Sequence, residues 1–283
     1  FNVEKPAEAG EEGDRTDSRD LPSEWLAKSG DGAVYVVDQA GFDAIDTETT
    51  TKLLGLFNES HMQYEADRTN DIAGEPSIAE MTEKAIQVLD NNDNGFFLMV
   101  ESGRIDHAHH AGNAYGALAD TVAFAAAVKA AYDATNPDDT LIIVTADHSH
   151  VMTIGGYVTR GNPILGKAVY SEGGSPELAK DGLPFTTVNY NNGIGFCDLG
   201  AETDSDAGYG CENAAGSRTD LTAIDTEAPG FHQEALIPLS SETHSGEDIT
   251  IHATGPGSSF VRGTVEQSMV FHLMNNARNL VAE

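Results

Sequence analysis

The chain has 283 residues, 40% of them hydrophobic, and its 46 acidic against 15 basic residues give a formal net charge of −31. This charge excludes binding to nucleic acids and to anionic membranes, because any polyanion is repelled, and no apolar run reaches the roughly 18 residues that a transmembrane helix needs. Such an acidic surface is typical of a protein adapted to high salt, and an anionic substrate would need bound metal cations to reverse the local field.

The predicted elements of the first third of the chain are short. Residues 1–20 are polar and predict a loop, and apolar segments at 34–37 and 53–57 alternate with short predicted helices. The clearest helix covers residues 77–89. Ser77 and Glu80 form a capping box of the S-x-x-E type there, and apolar residues recur on one face.

Two continuous apolar runs, at residues 96–100 and 141–144, predict strands that are buried on both faces, as in a parallel sheet. Between them, an Ala-rich segment from about residue 112 to 134 has the composition of a helix. Strand, helix and strand make a βαβ unit. The sequence therefore predicts an α/β domain with a parallel sheet.

A change of composition at residues 169–235 predicts a peripheral insertion. Gly, Asp, Asn, Ser and Pro dominate this stretch, which contains one predicted strand at 185–190. The insertion divides the α/β domain into residues 1–168 and 236–283. The second part contains a predicted strand at 249–253 and a closing helix at about 265–280.

The two cysteines, Cys197 and Cys211, lie in a Gly- and Asp-rich part of this insertion. Neither belongs to a C-x-x-C pair, so a zinc site of thiolates is not predicted. We expect a disulfide rather than two reduced thiols, and a disulfide indicates an oxidising compartment.

Both predicted parallel strands run into ionisable side chains. These are Glu101, Asp106, His107 and His110 after the first strand, and Asp147, His148 and His150 after the second. Ligands of open α/β sheets bind outside the carboxyl ends of the strands, so we expect both groups to face one crevice. A single histidine in so acidic a chain is more often a solvated loop residue, but two independent groups at strand ends favour a site.

The spacing within these groups predicts metal binding. Asp106 and His110 are four residues apart, so on a helical turn both point the same way and can bind one ion. Asp147 and His148 are adjacent in a predicted loop and can bind a second ion. Carboxylate oxygens and imidazole nitrogens suit catalytic zinc, whereas the harder oxygen of Glu101 suits magnesium.

Three stretches, in this order, closely resemble the alkaline phosphatase family: F-F-L-M-V-E-S-G-R-I-D-H-A-H-H, T-A-D-H-S-H-V and E-T-H-S-G-E-D. So do G-G-Y-x-x-R-G at residues 155–161 and S-H-M-Q-Y-E at residues 60–65, and the resemblance runs from about Arg15 to the C terminus. It implies a doubly wound, mostly parallel sheet sandwiched by helices. It also implies hydrolysis of phosphate monoesters by two Zn²⁺ and one Mg²⁺ through a phosphoserine intermediate.

Carried over position by position, the resemblance implies a role for each site residue. The first zinc binds Asp106, His110 and His244, the second zinc binds Asp147 and His148, and magnesium binds Glu101. His107 would contact the phosphate through water and His150 would orient a ligand, whereas Arg104 is structural. On its own, His244 in its polar loop would more often be solvated than a ligand.

Several family features have no match in residues 1–283. These are the serine nucleophile of a D-S-A motif, its neighbouring arginine, a zinc-bridging Asp and a hydroxyl ligand of magnesium. Ser18 is not the nucleophile, because Arg19 follows it. The acid of a calcium site near Phe57 and Glu75 in animal members is replaced by Asn58. We therefore expect the C-terminal portion of a longer, periplasmic or secreted bacterial enzyme.

The expected partners are small-molecule phosphate monoesters, inorganic phosphate, the N-terminal portion of the same enzyme and a second copy in a homodimer. Two alternatives stay open. One is a related two-metal enzyme, namely a phosphodiesterase, a sulfatase or a phosphoglycerate mutase, although the combined motifs argue against it. The other is a non-catalytic metal-binding fragment, which the absence of any serine-bearing segment would favour.

Overall fold

The computed structural model describes residue 17, residues 19–211 and residues 218–278, so Ser18 lies outside the described residues. These residues form two compact units, one within Phe1–Arg104 and Ala119–Ala131 and the other within Ile105–Leu118 and Tyr132–Glu283. The division predicted at residues 168 and 236 stays a prediction. Among the described helices, none is both long enough and apolar enough to cross a membrane.

The first unit alternates short helices and strands before one longer helix. Its elements are α1 (Leu21–Ser29), β1 (Ala33–Val36), α2 (Gln39–Asp43), β2 (Lys52–Gly55) and α3 (Ile78–Leu89). The strands β1 and β2 pair in parallel. In the core, Phe42 packs edge-on against Phe57 with ring centroids 6.0 Å apart.

The helix α3 confirms the predicted capping box. Ser77 is the N-cap, and its hydroxyl accepts a hydrogen bond from the Glu80 N–H while the Glu80 carboxylate accepts one from the Ser77 N–H. This reciprocal pair satisfies two backbone donors that would otherwise lack a partner. Thr82 lies on the predicted inner face and is buried, and Ile86, which was not predicted to lie on that face, is buried as well.

The prediction of a strand at residues 96–100 is wrong. The backbone there belongs to no described strand, and Phe97 and Met99 are 54% and 68% exposed. A strand that is buried on both faces needs hydrogen-bonded neighbours and covering helices. No strand in the described ranges pairs with this segment, so the apolar run stays half covered.

Two helices follow, α4 (Arg104–His110) and α5 (Ala114–Ala134). The second is the predicted Ala-rich helix. Asn113 is its N-cap, and the Asn113 side chain accepts a hydrogen bond from the Gly116 N–H. The turn between α4 and α5 is therefore closed by a side chain that satisfies a donor of the first helical turn.

The strands of the second unit are short. They are β3 (Ile142–Thr145), β4 (Ser149–His150), β5 (Met152–Ile154), β6 (Val188–Gly193), β7 (Cys197–Asp198), β8 (Phe231–His232), β9 (Ala235–Pro238), β10 (His244–Ser245) and β11 (Ile251–Thr254), and α6 (Met269–Arg278) follows. The pairs β3–β11, β4–β10 and β5–β6 are antiparallel, whereas β6 and β9 pair in parallel.

The strand predicted at residues 141–144 is β3, but its observed partner, β11, is antiparallel. In the part of the chain that the structure describes, parallel pairing occurs at β1–β2 and at β6–β9. A continuous apolar run predicts a strand that is covered on both faces, but it does not predict the direction of the neighbouring strand. The predicted parallel βαβ unit is therefore not seen in the described ladders.

The predicted disulfide is present. Cys197 in β7 is bonded to Cys211, with Cα atoms 6.2 Å apart, and β7 pairs with β8. The strand β6, which also falls within the predicted insertion, lies in the hydrophobic core of its unit, where Val188 and Tyr190 are buried.

Candidate metal centre

The helix α4 presents Asp106 and His110 one turn apart, as their spacing predicts. Oδ2 of Asp106 lies 3.4 Å from Nε2 of His110. Because the two side chains point the same way, one ion can contact both.

The segment that follows β3 brings three more side chains to the same place. His150 in β4 holds its Nε2 at 3.0 Å from Oδ1 of Asp106. Nε2 of His148 lies 3.8 Å from that oxygen and 3.3 Å from Oδ2 of Asp147. Asp147 itself is 81% exposed, so its carboxylate stands on the solvent side of the group.

The pairing of β10 with β4 adds His244 from a distant part of the sequence. His244 lies opposite His150 in the ladder. Its Nε2 is 3.1 Å from Nε2 of His110 and 3.4 Å from Oδ1 of Asp106, and its ring stacks on that of His148 with centroids 3.6 Å apart. The antiparallel ladder thus completes the group.

This donor set fits a cation. The ligand atoms of Asp106, His148, His150 and His244 all lie within 4.8 Å of one another, and three of these four are imidazoles around one carboxylate oxygen. The Nε2 atoms of His110 and His244 face each other at 3.1 Å, a distance at which either a proton on one ring or a shared cation would satisfy both. A divalent ion shared between these groups would satisfy the oxygen and the ring nitrogens together.

Burial and charge act in opposite directions on the histidines of the group. Burial lowers the pKa of His150, but the hydrogen bond and charge of Glu242 and the charge of Asp106 outweigh it and raise that pKa above its usual value. The pKa of His109 is lowered to about 4, first by burial and then by the charge of His150. His109 is therefore neutral at pH 7, and it stacks on His150 and pairs through Nδ1 with the Tyr190 hydroxyl at 2.8 Å.

The comparison with known families identifies the family of this chain. A sequence model of the family described as alkaline phosphatase matches residues 1–280. The chain belongs to the alkaline phosphatase family.

Two relatives illustrate the extent of the match. The chain is 40% identical over 275 residues to the tissue-nonspecific alkaline phosphatase of Gallus gallus, and the alignment covers 96% of this chain and 49% of that protein. It is 39% identical over 268 residues to alkaline phosphatase 4 of Drosophila melanogaster, with 93% of this chain and 43% of that protein covered. The chain thus spans about half the length of the curated alkaline phosphatases it matches.

Solved structures of alkaline phosphatases share the fold. The enzyme of Thermus thermophilus matches with a TM-score of 0.60 and 27% identity, over 99% of this chain and 61% of that chain. The cold-active enzyme of a psychrophilic Shewanella sp. matches with a TM-score of 0.55 over 94% of this chain and 64% of that chain, and its 22% identity supports the fold alone. The chain therefore has an α/β fold like that of alkaline phosphatases.

Asp147, Glu101 and His107 are not among the clustered ligand atoms of the described residues, so the assignment of Asp147 to a zinc ion stays a prediction. Glu101 is exposed and belongs to the first unit, so its role as magnesium ligand stays a prediction. His107 is half-buried on α4, and its contact with phosphate also stays a prediction. Arg104 donates to the Met62 carbonyl at 2.9 Å and lies 3.9 Å from the centroid of the Tyr64 ring, contacts in keeping with a structural role.

Sequence reasoning missed Glu242, which contacts two of the alkaline phosphatase motifs and belongs to the third. Its buried carboxylate accepts hydrogen bonds from Nδ1 of His150 at 2.7 Å and from the Val151 N–H at 2.6 Å. Its backbone pairs with His110. The available signal was the spacing of an acid two residues before His244, because residues two apart in an extended segment lie on one face.

Proposed function

We propose that this chain carries the metal-binding residues of an enzyme that hydrolyses phosphate monoesters. The first zinc ion would bind Asp106, His110 and His244, the second would bind Asp147 and His148, and a magnesium ion would bind Glu101. The observation that carries the proposal is the convergence of imidazoles from separate motifs on one oxygen of Asp106. Membership of the alkaline phosphatase family supports the reaction class.

The protein groups around the centre would prepare it for this chemistry. Nδ1 of His110 donates to a carbonyl, which leaves the Nε2 lone pair of that ring for a ligand bond. A chain with a net charge of −31 repels phosphate esters, and bound zinc supplies the positive charge that attracts the ester, stabilises the transferring phosphoryl group and lowers the pKa of an attacking oxygen. His107, on the same helix as Asp106, would contact the phosphate through water.

The finer features of the proposal rest on the family. Hydrolysis would pass through a phosphoserine, whose serine would lie outside residues 1–283, and the sheet would be doubly wound and mostly parallel. The disulfide between Cys197 and Cys211 supports an oxidising compartment, either periplasmic or secreted. A homodimer that includes the N-terminal portion of the enzyme would complete the active protein.

Anomalous scattering at the zinc edge, from crystals of the native protein, tests the metal sites. We expect one peak beside Asp106, His110 and His244 and a second beside Asp147 and His148, at ligand distances of about 2.0–2.2 Å. Peaks at other residues would refute the ligand assignment.

The reaction class is tested separately, with an aryl phosphate, a phosphodiester and a sulfate ester as substrates of the native protein. We expect the phosphate monoester to be cleaved fastest. Faster cleavage of the diester or the sulfate ester would favour one of the related two-metal enzymes, and no cleavage of any ester would favour a metal-binding role without catalysis.

A further inference from the structure

Glu242 joins the three motifs that build the metal centre. It lies two residues before His244, and it contacts both His110 on α4 and His150 in β4. We propose that Glu242 is a positioning residue, which holds these two rings with Nδ1 turned away from Asp106 and Nε2 turned toward it. The inference rests on the proposed zinc centre and adds to it a residue that binds no ion itself.

The backbone of Glu242 sets the tautomer of His110. The Glu242 N–H donates to the His110 carbonyl at 2.9 Å, and the Glu242 carbonyl lies 2.7 Å from Nδ1 of the His110 ring. A carbonyl oxygen only accepts, so Nδ1 must carry a proton, and Nε2 is the nitrogen that presents a lone pair in the neutral ring. That Nε2 lies 3.4 Å from Oδ2 of Asp106 and 3.1 Å from Nε2 of His244, where a ligand bond would form without loss of a proton.

The side chain of Glu242 does the same for His150. Its Oε2 lies 2.7 Å from Nδ1 of that ring, and an ionised carboxylate only accepts, so this nitrogen also carries a proton. The other ring nitrogen is then aimed at Oδ1 of Asp106, 3.0 Å away. Glu242 thus acts on Asp106 through His150 and does not touch the centre directly.

The carboxylate of Glu242 is itself held from three sides. Its second oxygen accepts from the Val151 N–H at 2.6 Å, and its side chain is 0% exposed. At Gly193 in β6, an added Cβ would lie 3.1 Å from Cβ of Glu242, so the absence of a side chain there lets the strand pack against this residue. A group fixed in this way can orient its partners within a narrow range.

Direct coordination is the rival interpretation, because ligand atoms of His110, His150 and Glu242 lie within 4.8 Å of one another. The ring nitrogens nearest to Oε2 of Glu242 are Nδ1 of His110, at 3.5 Å, and Nδ1 of His150, at 2.7 Å. Both donate hydrogen bonds to Glu242, so an ion bound between these groups would have to displace their protons. We therefore favour positioning, and the experiment distinguishes the two.

The decisive substitution is Glu242→Gln in the native protein. Whichever way the amide turns, its NH₂ faces a donor, either Nδ1–H of His150 or the Val151 N–H. We expect zinc at the first site to bind about 10- to 100-fold more weakly in competition with a chelator, the range for partners of metal ligands. Glu247→Gln removes an exposed carboxylate from the same loop and, as the matched control, should leave zinc affinity unchanged.

A second readout needs neither zinc nor activity, so it separates failure of this inference from failure of the proposed function. Nitrogen-15 NMR of the metal-free native protein reports which ring nitrogen of each histidine carries the proton. We expect a protonated Nδ1 for His150 in the unchanged protein and in Glu247→Gln. In Glu242→Gln, the amide oxygen should face the Val151 N–H, because a backbone N–H cannot change its protonation. The amide NH₂ then faces Nδ1 of His150, so that proton should move to Nε2, and His150→Gln assigns the signal.

If Glu242→Gln does not fold, both measurements are made on Glu242→Asp, which keeps the charge and shortens the side chain by one methylene. The zinc affinity of Glu242→Asp should be weakened, but less than that of a folded amide variant. Wild-type zinc affinity in either folded variant, or an unchanged Nδ1 signal for His150, would overturn the positioning role. So would a zinc-edge absorption spectrum of Glu242→Gln that has lost an oxygen neighbour, because Glu242 would then be a ligand.

Discussion

Two carboxylates, Glu65 in the first unit and Asp106 in the second, are held in different ways. In the first unit, Glu65 binds Arg68 through both oxygens, at 3.0 and 3.2 Å, and Asp120 accepts from the Glu65 N–H at 3.3 Å. In the second unit, Asp106 faces imidazoles at 3.0, 3.4 and 3.8 Å. The first arrangement is an ion pair between protein groups, whereas the second gathers residue types that commonly bind metal ions. The same residue types therefore stabilise the fold in one unit and build a candidate centre in the other.

The strongest test of this contrast removes one carboxylate charge from each unit. Asp106→Asn should abolish zinc binding at the first site and reduce phosphatase activity of the native protein to background, because a neutral amide is a poor zinc ligand. Glu65→Gln should keep both zinc and activity and cost no more than about 1 kcal/mol of stability, since its ion pair with Arg68 is partly exposed. Metal analysis, aryl phosphate assays and urea unfolding give the three values.

The contrast fails if Asp106→Asn retains its zinc, or if Glu65→Gln loses it. In the first case, the imidazoles alone would hold the ion. In the second case, the carboxylates of the first unit would also serve the centre.

Metal removal should affect the two units unequally. At a free zinc concentration of about 1,000 times Kd, binding stabilises the folded state by about 4.1 kcal/mol, and a chelator removes this contribution. Hydrogen exchange should then become faster in α4, β4 and β10 and change little in β1 and β2. Mass spectrometry of peptides from the native protein, with and without chelator, measures both. Equal acceleration in both units would contradict the assignment of the zinc ions to the second unit.

The smallest effect concerns Asp120. Its pKa is raised from 3.8 to about 6, chiefly by burial and also by the charge of Glu65. Between about pH 4 and pH 6, Asp120 keeps a proton in the folded state that it releases in the unfolded state. The free energy of unfolding therefore falls as the pH rises through this window, and it stays at the lower value above pH 6. At pH 7 this shift of the Asp120 pKa corresponds to a loss of stability on the order of 3 kcal/mol.

Asp120→Asn should remove this dependence and raise stability above pH 6, whereas Asp138→Asn, at an exposed site, should leave it unchanged. Urea unfolding at several pH values between 4 and 7 measures the difference. If the slope of stability against pH survives in Asp120→Asn, another group is responsible for it.

The sequence predicted best what depends on near neighbours. The capping box of Ser77 and Glu80 involves residues three apart, and the helix α3 begins where that pair indicates. Asp106 and His110 lie on one turn, so their spacing alone places them together. The disulfide was also predicted, because the surrounding composition and the absence of a C-x-x-C pair left few alternatives for Cys197 and Cys211.

The sequence could not supply what depends on distant partners. The run at residues 96–100 has the composition of a buried strand, but composition does not provide the neighbour whose hydrogen bonds would make it one. The antiparallel pairing of β3 with β11 has no local signature either. Glu242 was missed for the same reason: its position next to His150 arises from the β4–β10 ladder, and nothing in its immediate sequence names that partner.

The contacts of Glu242 also limit how this region can vary between related chains. It is separated by 132 residues from His110 and by 92 from His150, yet one side chain and its backbone bond to both. An exchange of this acid changes the surroundings of two other motifs at once, so a compensating exchange has to arise at a distant position. We therefore expect related chains to keep the three motifs together, because a chain that replaces the acid at 242 while keeping the imidazole at 150 would leave a buried ring nitrogen without its acceptor.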